Sequence, residues 1–203
     1  MKYGAVVVAA GLSSRMGDFK PLLPLNGKTV IENTLDGLLK ANVKKIVLVL
    51  GYRGEEIEKI IYSKYNDEIK IVYNHNYSKS DMMTSVKIGL NSIRNYNYDG
   101  IFILPGDIPS IESKTYTKLQ NHFEMTNSLV IFPSLNGRQK HPPLINKDII
   151  NFLINFNQDG GLRKAFLPFK EKTTYCNIDD FGCSIDIDTP KDYKNLLEYN
   201  LKI

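Results

Sequence analysis

The first strand and the loop that leaves it constrain this chain more than any other stretch. Residues 5–24 read AVVVAAGLSSRMGDFKPLLP, in which six small or β-branched apolar residues run straight into a turn holding two glycines, two serines, Arg15 and Lys20. An α/β protein presents backbone N–H groups and cations to a phosphate chain in this way. Ala9, Ala10 and Gly11, at the carboxyl end of a buried strand, leave room for a ligand to lie against the backbone. Beyond Leu12, the small residues Ser13, Ser14 and Gly17 let the next turn wrap around it. Arg15 brings a planar bidentate fork and Lys20 a point charge on a long stem, both suited to a triphosphate. The same residues would also serve a plain strand-to-helix turn with solvated cations. Neither G-x-x-x-x-G-K-[ST] nor G-x-G-x-x-G occurs, which argues against a P-loop and a dinucleotide fingerprint.

The stretch AAGLSSRMGDFKPLLPLNGKTVIENTL resembles the signature loop of the MobA-like NTP transferase superfamily, and within it the molybdenum cofactor cytidylyltransferase branch. That pattern, AAG-x-S-x-RMG-x-x-K-x-LLP, is met at every fixed position, with Pro21 after the lysine and Leu22 and Leu23 next. The resemblance implies magnesium-dependent transfer of CMP from CTP to a molybdopterin-type phosphorylated acceptor with release of pyrophosphate, and a molybdoenzyme as a possible recipient of the product. Relatives that use GTP carry a glycine-richer loop, so Ala9 and Ala10 are similar to the pyrimidine-using branch. A sugar phosphate or another phosphate ester as acceptor, or GTP as donor, stays open. So does a non-catalytic carrier of the cofactor, although a carrier has no need of metal-binding acids.

The chain has 203 residues, enough for one α/β domain over 1–203, and its 42% hydrophobic and 24% charged residues are ordinary for a soluble globular protein. The net charge of +4 suits an anionic substrate, yet no basic block marks a nucleic-acid arm or a membrane patch. The two cysteines, Cys176 and Cys183, have neither a second pair nor a nearby histidine, so buried free thiols are expected rather than a disulfide or zinc site. No apolar run approaches the roughly 18 residues of a membrane span. The run at residues 5–10 is short for a secretory signal, so a cytoplasmic location is expected.

Strand and helix alternate along the chain. Thr29 and Glu32 have capping-box spacing ahead of an apolar stripe through Val30, Ile31, Leu35, Leu38 and Leu39, which predicts a helix to about Ala41. KIVLVL at 45–50 predicts a second strand and 55–64 a helix; 69–73 a third strand and 80–93 a helix; 100–104 a fourth strand. Strands joined by such helices imply a Rossmann-like three-layer fold with a mostly parallel sheet and helices on both faces. Ligands sit beyond the carboxyl ends of such strands, so the first loop and Asp107 should share a rim.

In LPGDIPSI, residues 104–111, Pro105, Gly106 and Pro109 hold Asp107 in a rigid turn at a strand tip. There it is placed either as an oxygen ligand to Mg2+ or as a cap for the turn or for a helix beginning near Glu112. The family's DxP aspartate supports the first. In CSIDIDTPKDY, residues 183–193, alternation along a short strand would put Asp186 and Asp188 on one face before Thr189 and Pro190 open the last helix. The family's D-x-D-T-P stretch returns to the metal, which implies Asp188 as the second ligand. Either acid could instead be solvated or bonded to backbone.

Further resemblances are thinner. NHNYSKSDMMTS, residues 74–85, is similar to a segment the family places near base and sugar, which adds Asn74 and Ser85, with Pro105 and Gly106, to the nucleotide-binding set. Asp81 replaces the usual glycine there and would meet a polyanion unfavourably unless it points away. RQKHPPL, residues 138–144, and DGGLR, residues 159–163, resemble acceptor-facing segments and bring in His141 and Arg163; Lys140 stands where a glycine is usual. His141 could equally be a turn residue bonded to backbone. His75 and His122 read as surface residues.

Overall fold

The computed structural model describes residues 1–13, 16–65 and 67–201. β1 (Tyr3–Ala9) leads through the loop into a small hairpin, β2 (Pro24–Leu25) and β3 (Lys28–Thr29), and then α1 (Val30–Lys40). β4 (Lys45–Leu50), α2 (Gly54–Lys64), β5 (Ile69–Tyr73), α3 (Met82–Ile93), β6 (Gly100–Pro105) and α4 (Ser113–Met125) follow. The second half holds β7 (Val130–Leu135), β8 (Arg138–Gln139), β9 (Leu144–Asn146), α5 (Ile150–Asn155), α6 (Gly161–Ala165), β10 (Thr173–Asn177) and α7 (Pro190–Asn200).

The main sheet runs β10-β7-β9-β6-β1-β4-β5, with β8 added to β7. β1 lies parallel between β4 and β6, and β9 alone on that path is antiparallel to its neighbours. Alternate residues of the central strands feed two cores. Ala5, Val7, Leu48 and Leu104 pack under α1, α2 and α4, while Val6, Val47 and Ile103 pack under α3 and α5. Burial on both faces is why β1 and β4 read as unbroken apolar runs. The expected mostly parallel α/β sheet between two helical layers is therefore what forms.

Local signals act as their chemistry dictates. The Thr29 hydroxyl accepts from the Glu32 N–H at 3.4 Å and the Glu32 carboxylate accepts from the Thr29 N–H at 2.7 Å, closing the capping box. Thr189 and Asp192 repeat it at α7, with Pro190 in the first turn. α3 starts two residues later than the spacing suggested, because Asp81 is its N-cap and accepts from the Thr84 N–H at 2.9 Å. Cys176 and Cys183 are buried free thiols. His122 is not a bare surface group, since its ring pairs with the Thr174 hydroxyl at 3.1 Å, and His75 stacks on Tyr73 at 5.7 Å.

The expected strand at 185–188 is a correction. The chain there makes a 3-10 turn, Phe181–Ser184, and continues unpaired into α7. β10 already occupies that edge of the sheet, and the apolar residues of the segment have another place to go. Ile187 is buried with Met16, Leu25, Val30 and Leu196 in a third cluster beside the β1 loop. Asp180, which sequence reasoning missed, anchors this segment: its buried carboxylate accepts from the Glu112 N–H at 2.9 Å, the Thr115 hydroxyl at 2.8 Å and the Gly182 N–H at 2.8 Å. Asp180 rather than Asp107 thus caps the helix after β6. Gly182 lies so close to the Ser110 carbonyl oxygen that a Cβ would stand 1.9 Å from it.

Removing the Asp180 carboxylate strands several buried donors. Asp180→Ala is expected to lower unfolding stability by about 3 kcal/mol or more in urea titrations, with Asp180→Asn recovering part of the loss. An unchanged midpoint for Asp180→Ala would remove Asp180 as the anchor.

Candidate functional site

β1 feeds its crossover toward β4 on one side, and β6 feeds its own toward β7 on the other. The loops leaving the two strands therefore part, and such a switch point is where open α/β sheets hold ligands. A cleft of about 390 Å³ opens there, lined by residues 8–13, Lys20, Pro21, Tyr77, residues 80–82, Ser85, residues 105–107 and Asp188.

Three charged groups from distant parts of the chain meet in it. Lys20 is buried to 8% exposure, and its Nζ lies 2.9 Å from Asp188 Oδ1 and 3.4 Å from Asp107 Oδ2. Burial pushes the Asp107 carboxyl above its ordinary pKa, the neighbouring charge of Asp186 adds to this, and Lys20 pulls against it without prevailing. The Lys20 backbone is fixed as well, for its N–H donates to Ser13 Oγ at 3.3 Å, and the Ser13 carbonyl accepts from the Met16 N–H at 3.0 Å. Ser13 holds a left-handed φ of 54°, a strained conformation for a residue with a side chain. Ser14 and Arg15, both expected at the phosphates, lie outside the described residues.

Gly11 lines the cleft, its φ is not left-handed, and a Cβ built on it would meet nothing within 4 Å among the described residues. Neither backbone nor packing demands a glycine there, so what the absent side chain preserves is space in the cleft. Gly106 is small for the opposite reason: a Cβ there would lie 2.8 Å from Ile31 Cδ1.

Of the segment after β5, Ser85 lines the cleft and Asn74 does not. Asn74 is 2% exposed, and its amide nitrogen donates to Ser80 Oγ and Ser85 Oγ, each at 2.9 Å. Asn74 thus positions two hydroxyls from behind the cleft wall. Tyr77, Ser80 and Met82 line the cleft without having been singled out in the sequence, although the Asn74 turn that carries them was in view. Asp81 also lines it, with Oδ1 directed at the start of α3.

Asp186 is exposed and is not among the cleft-lining residues. His141 lies outside the cleft but within range of the Asp186 and Asp107 charges, which raise its pKa against a larger lowering caused by desolvation. That places His141 on the same rim. Arg163 is exposed on α6 and does not line the cleft.

Among the described residues no three acidic, histidine or cysteine side chains stand close enough to cage a metal ion. Two carboxylates converging on one cation fit instead the needs of Mg2+, which takes one or two protein carboxylates and completes its shell with phosphate oxygens and water. No helix among the described residues is long and apolar enough to cross a membrane.

The chain is 30% identical over 188 residues, 93% of its length and 92% of the relative's, to molybdenum cofactor cytidylyltransferase of Escherichia coli. It is 26% identical over 139 residues, 68% of its length and 65% of the relative's, to a probable molybdenum cofactor guanylyltransferase of Bacillus cereus. Among solved structures, a nucleotidyl transferase from Methanothermobacter thermautotroptrophicus superposes with a TM-score of 0.82 at 24% identity, covering 99% of this chain and 98% of that one. A Mycobacterium tuberculosis protein in complex with manganese superposes at 0.75 with 22% identity, covering 98% and 99%. Residues 5–173, which include the loop after β1, match the model of the MobA-like NTP transferase domain, and the chain belongs to that family of nucleotidyltransferases.

Proposed function

We propose that this nucleotidyltransferase transfers CMP from CTP to the terminal phosphate of a molybdopterin-type acceptor, releasing pyrophosphate, with Mg2+ as its cation. The observation that carries the reading is the meeting of Lys20, Asp107 and Asp188 in a cleft floored by residues 9–13. The base and acceptor rest on likeness to the Escherichia coli enzyme, whose name states cytidylyl transfer to molybdenum cofactor.

Asp107 and Asp188 would hold the divalent cation, which when bound neutralises phosphate charge and orients the α-phosphate. Lys20, with Arg15, would hold the departing β and γ phosphates. Residues 9–13 would lie against the triphosphate, where Gly11 leaves the space. Ser80 and Ser85, fixed by Asn74, face the nucleoside. His141 and Lys140 would meet the acceptor from the same rim, outside the cleft, with Arg163 on α6 as a further contact. The attacking phosphate is already ionised, so the chain has little proton chemistry to perform and its contribution is positioning and charge.

A panel of CTP, GTP, UTP and ATP with Mg2+, read by thermal shift and by pyrophosphate release with molybdopterin, tests base and acceptor together. CTP should give the largest shift and the only rapid release, and a panel led by GTP would overturn the cytidylyl assignment. Gly11→Ala should leave the melting temperature unchanged while raising the KM for CTP at least about tenfold, because its methyl projects into the space meant for phosphate.

Asp107 gives a pH test. A carboxyl whose folded pKa is raised costs no stability below the ordinary carboxylate range and lowers stability as pH rises through that range toward the folded pKa. Relative to wild type, Asp107→Asn should therefore fare better at pH 7.5 than near pH 3, on top of a pH-independent loss from taking one carboxylate away from Lys20, while turnover falls roughly a hundredfold or more. A melting difference from wild type that does not change between pH 3 and pH 7.5, in a variant that still turns over, would contradict the assignment.

A further inference from the structure

Lys20 occupies the place where the cation would bind. A divalent ion bridging Asp107 and Asp188 must approach both carboxylates to about 2.1 Å, the usual Mg–O distance. The Lys20 ammonium already stands 2.9 Å from one of those oxygens and 3.4 Å from the other. By the same bond lengths an ion on that bridge would lie roughly 1 to 5 Å from the nitrogen and would draw on the same two carboxylate oxygens as the ammonium. Ammonium and metal therefore compete for those two oxygens.

We infer that Lys20 is an internal counter-ion that blocks the metal site until a triphosphate draws it away, so that cation and nucleotide bind cooperatively and the free protein holds divalent metal poorly. This rests on the proposed roles of Asp107 and Asp188. Burial of the lysine supports it, since an ammonium at 8% exposure takes its counter-charge from the two carboxylates beside it rather than from water. Only another anion can then release it. The β and γ phosphates supply that anion and, at the same time, oxygens for the cation's remaining coordination positions. By linkage, whatever factor nucleotide adds to metal affinity, metal adds to nucleotide affinity.

The test is binding of Mn2+ alone, read as loss of the free-ion EPR signal at pH 8, with wild type, Lys20→Met and Lys20→Gln, each checked for folding by circular dichroism. Methionine keeps most of the buried stem and removes the charge. Wild type should bind Mn2+ weakly without nucleotide and at least about tenfold more tightly with CTP. The Lys20 variants should bind Mn2+ alone at least about tenfold more tightly than wild type and gain little from CTP. Equal or weaker Mn2+ binding by both folded variants would overturn the inference, as would tight binding of Mn2+ alone by wild type. If no nucleotide binds wild type but the variants still gain Mn2+ affinity, the block stands and the transferase reading falls.

Discussion

A lysine ammonium held out of water between two carboxylates organises this molecule. Its partners lie 87 and 168 residues further along the chain, one at the tip of β6 and the other just before α7. A buried charge is tolerated only when its partners are rigidly supplied. The framework around Lys20 can be understood as the means of supplying them. β1 and β6 are parallel neighbours, so their carboxyl ends bring the Lys20 loop and Asp107 to one rim without any special device. Asp188 needs more, because no strand carries it.

What carries Asp188 is apolar packing. Ile187, its neighbour in sequence, is fully buried against Met16, Leu25 and Val30, and Leu196 of α7 closes the same cluster. The Tyr193 hydroxyl donates to the Pro24 carbonyl oxygen, and the Asn200 amide donates to Ser110 Oγ at 3.0 Å. Asp180 ties the preceding turn to the start of α4. The C-terminal segment is thus fastened on one side to the β1 loop and on the other to the turn after β6, the two places that contribute Lys20 and Asp107. This clasp lies beyond the residues matched by the family model, which end at 173.

Where a local signal had a single physical meaning, the sequence was legible. Thr29 with Glu32 made a capping box, KIVLVL made a doubly buried strand, and the rim shared by the first loop and Asp107 followed from strand order. Two Asn-Gly hairpins were present and passed over: Asn26-Gly27 joins β2 to β3 and Asn136-Gly137 joins β7 to β8, all four residues at left-handed φ. Alternation at 185–188 misled because period two shows which side chains share a side but not what they face. Here the partner was a loop cluster, which leaves no periodic mark elsewhere in the chain. Asp180 was illegible for a related reason: its acceptor contacts include donors 65 and 68 residues away, and nothing near it in sequence announces them.

The residues that argue most strongly for function are those the fold does not require. Leu48 and Val6 would be needed in any sheet of this shape, and Gly182 would be needed wherever two backbones pass this closely. Gly11 is different, because a methyl there would collide with nothing among the described residues. Asp107 is different in the opposite sense: its desolvation makes the charged form costly, and the pull of Lys20 does not outweigh that cost. Packing of the chain alone accounts for neither residue. A glycine that keeps space open and an acid retained against its own desolvation, lining one cleft with a buried lysine, are accounted for together by an anion entering the space and a cation entering beside the acid.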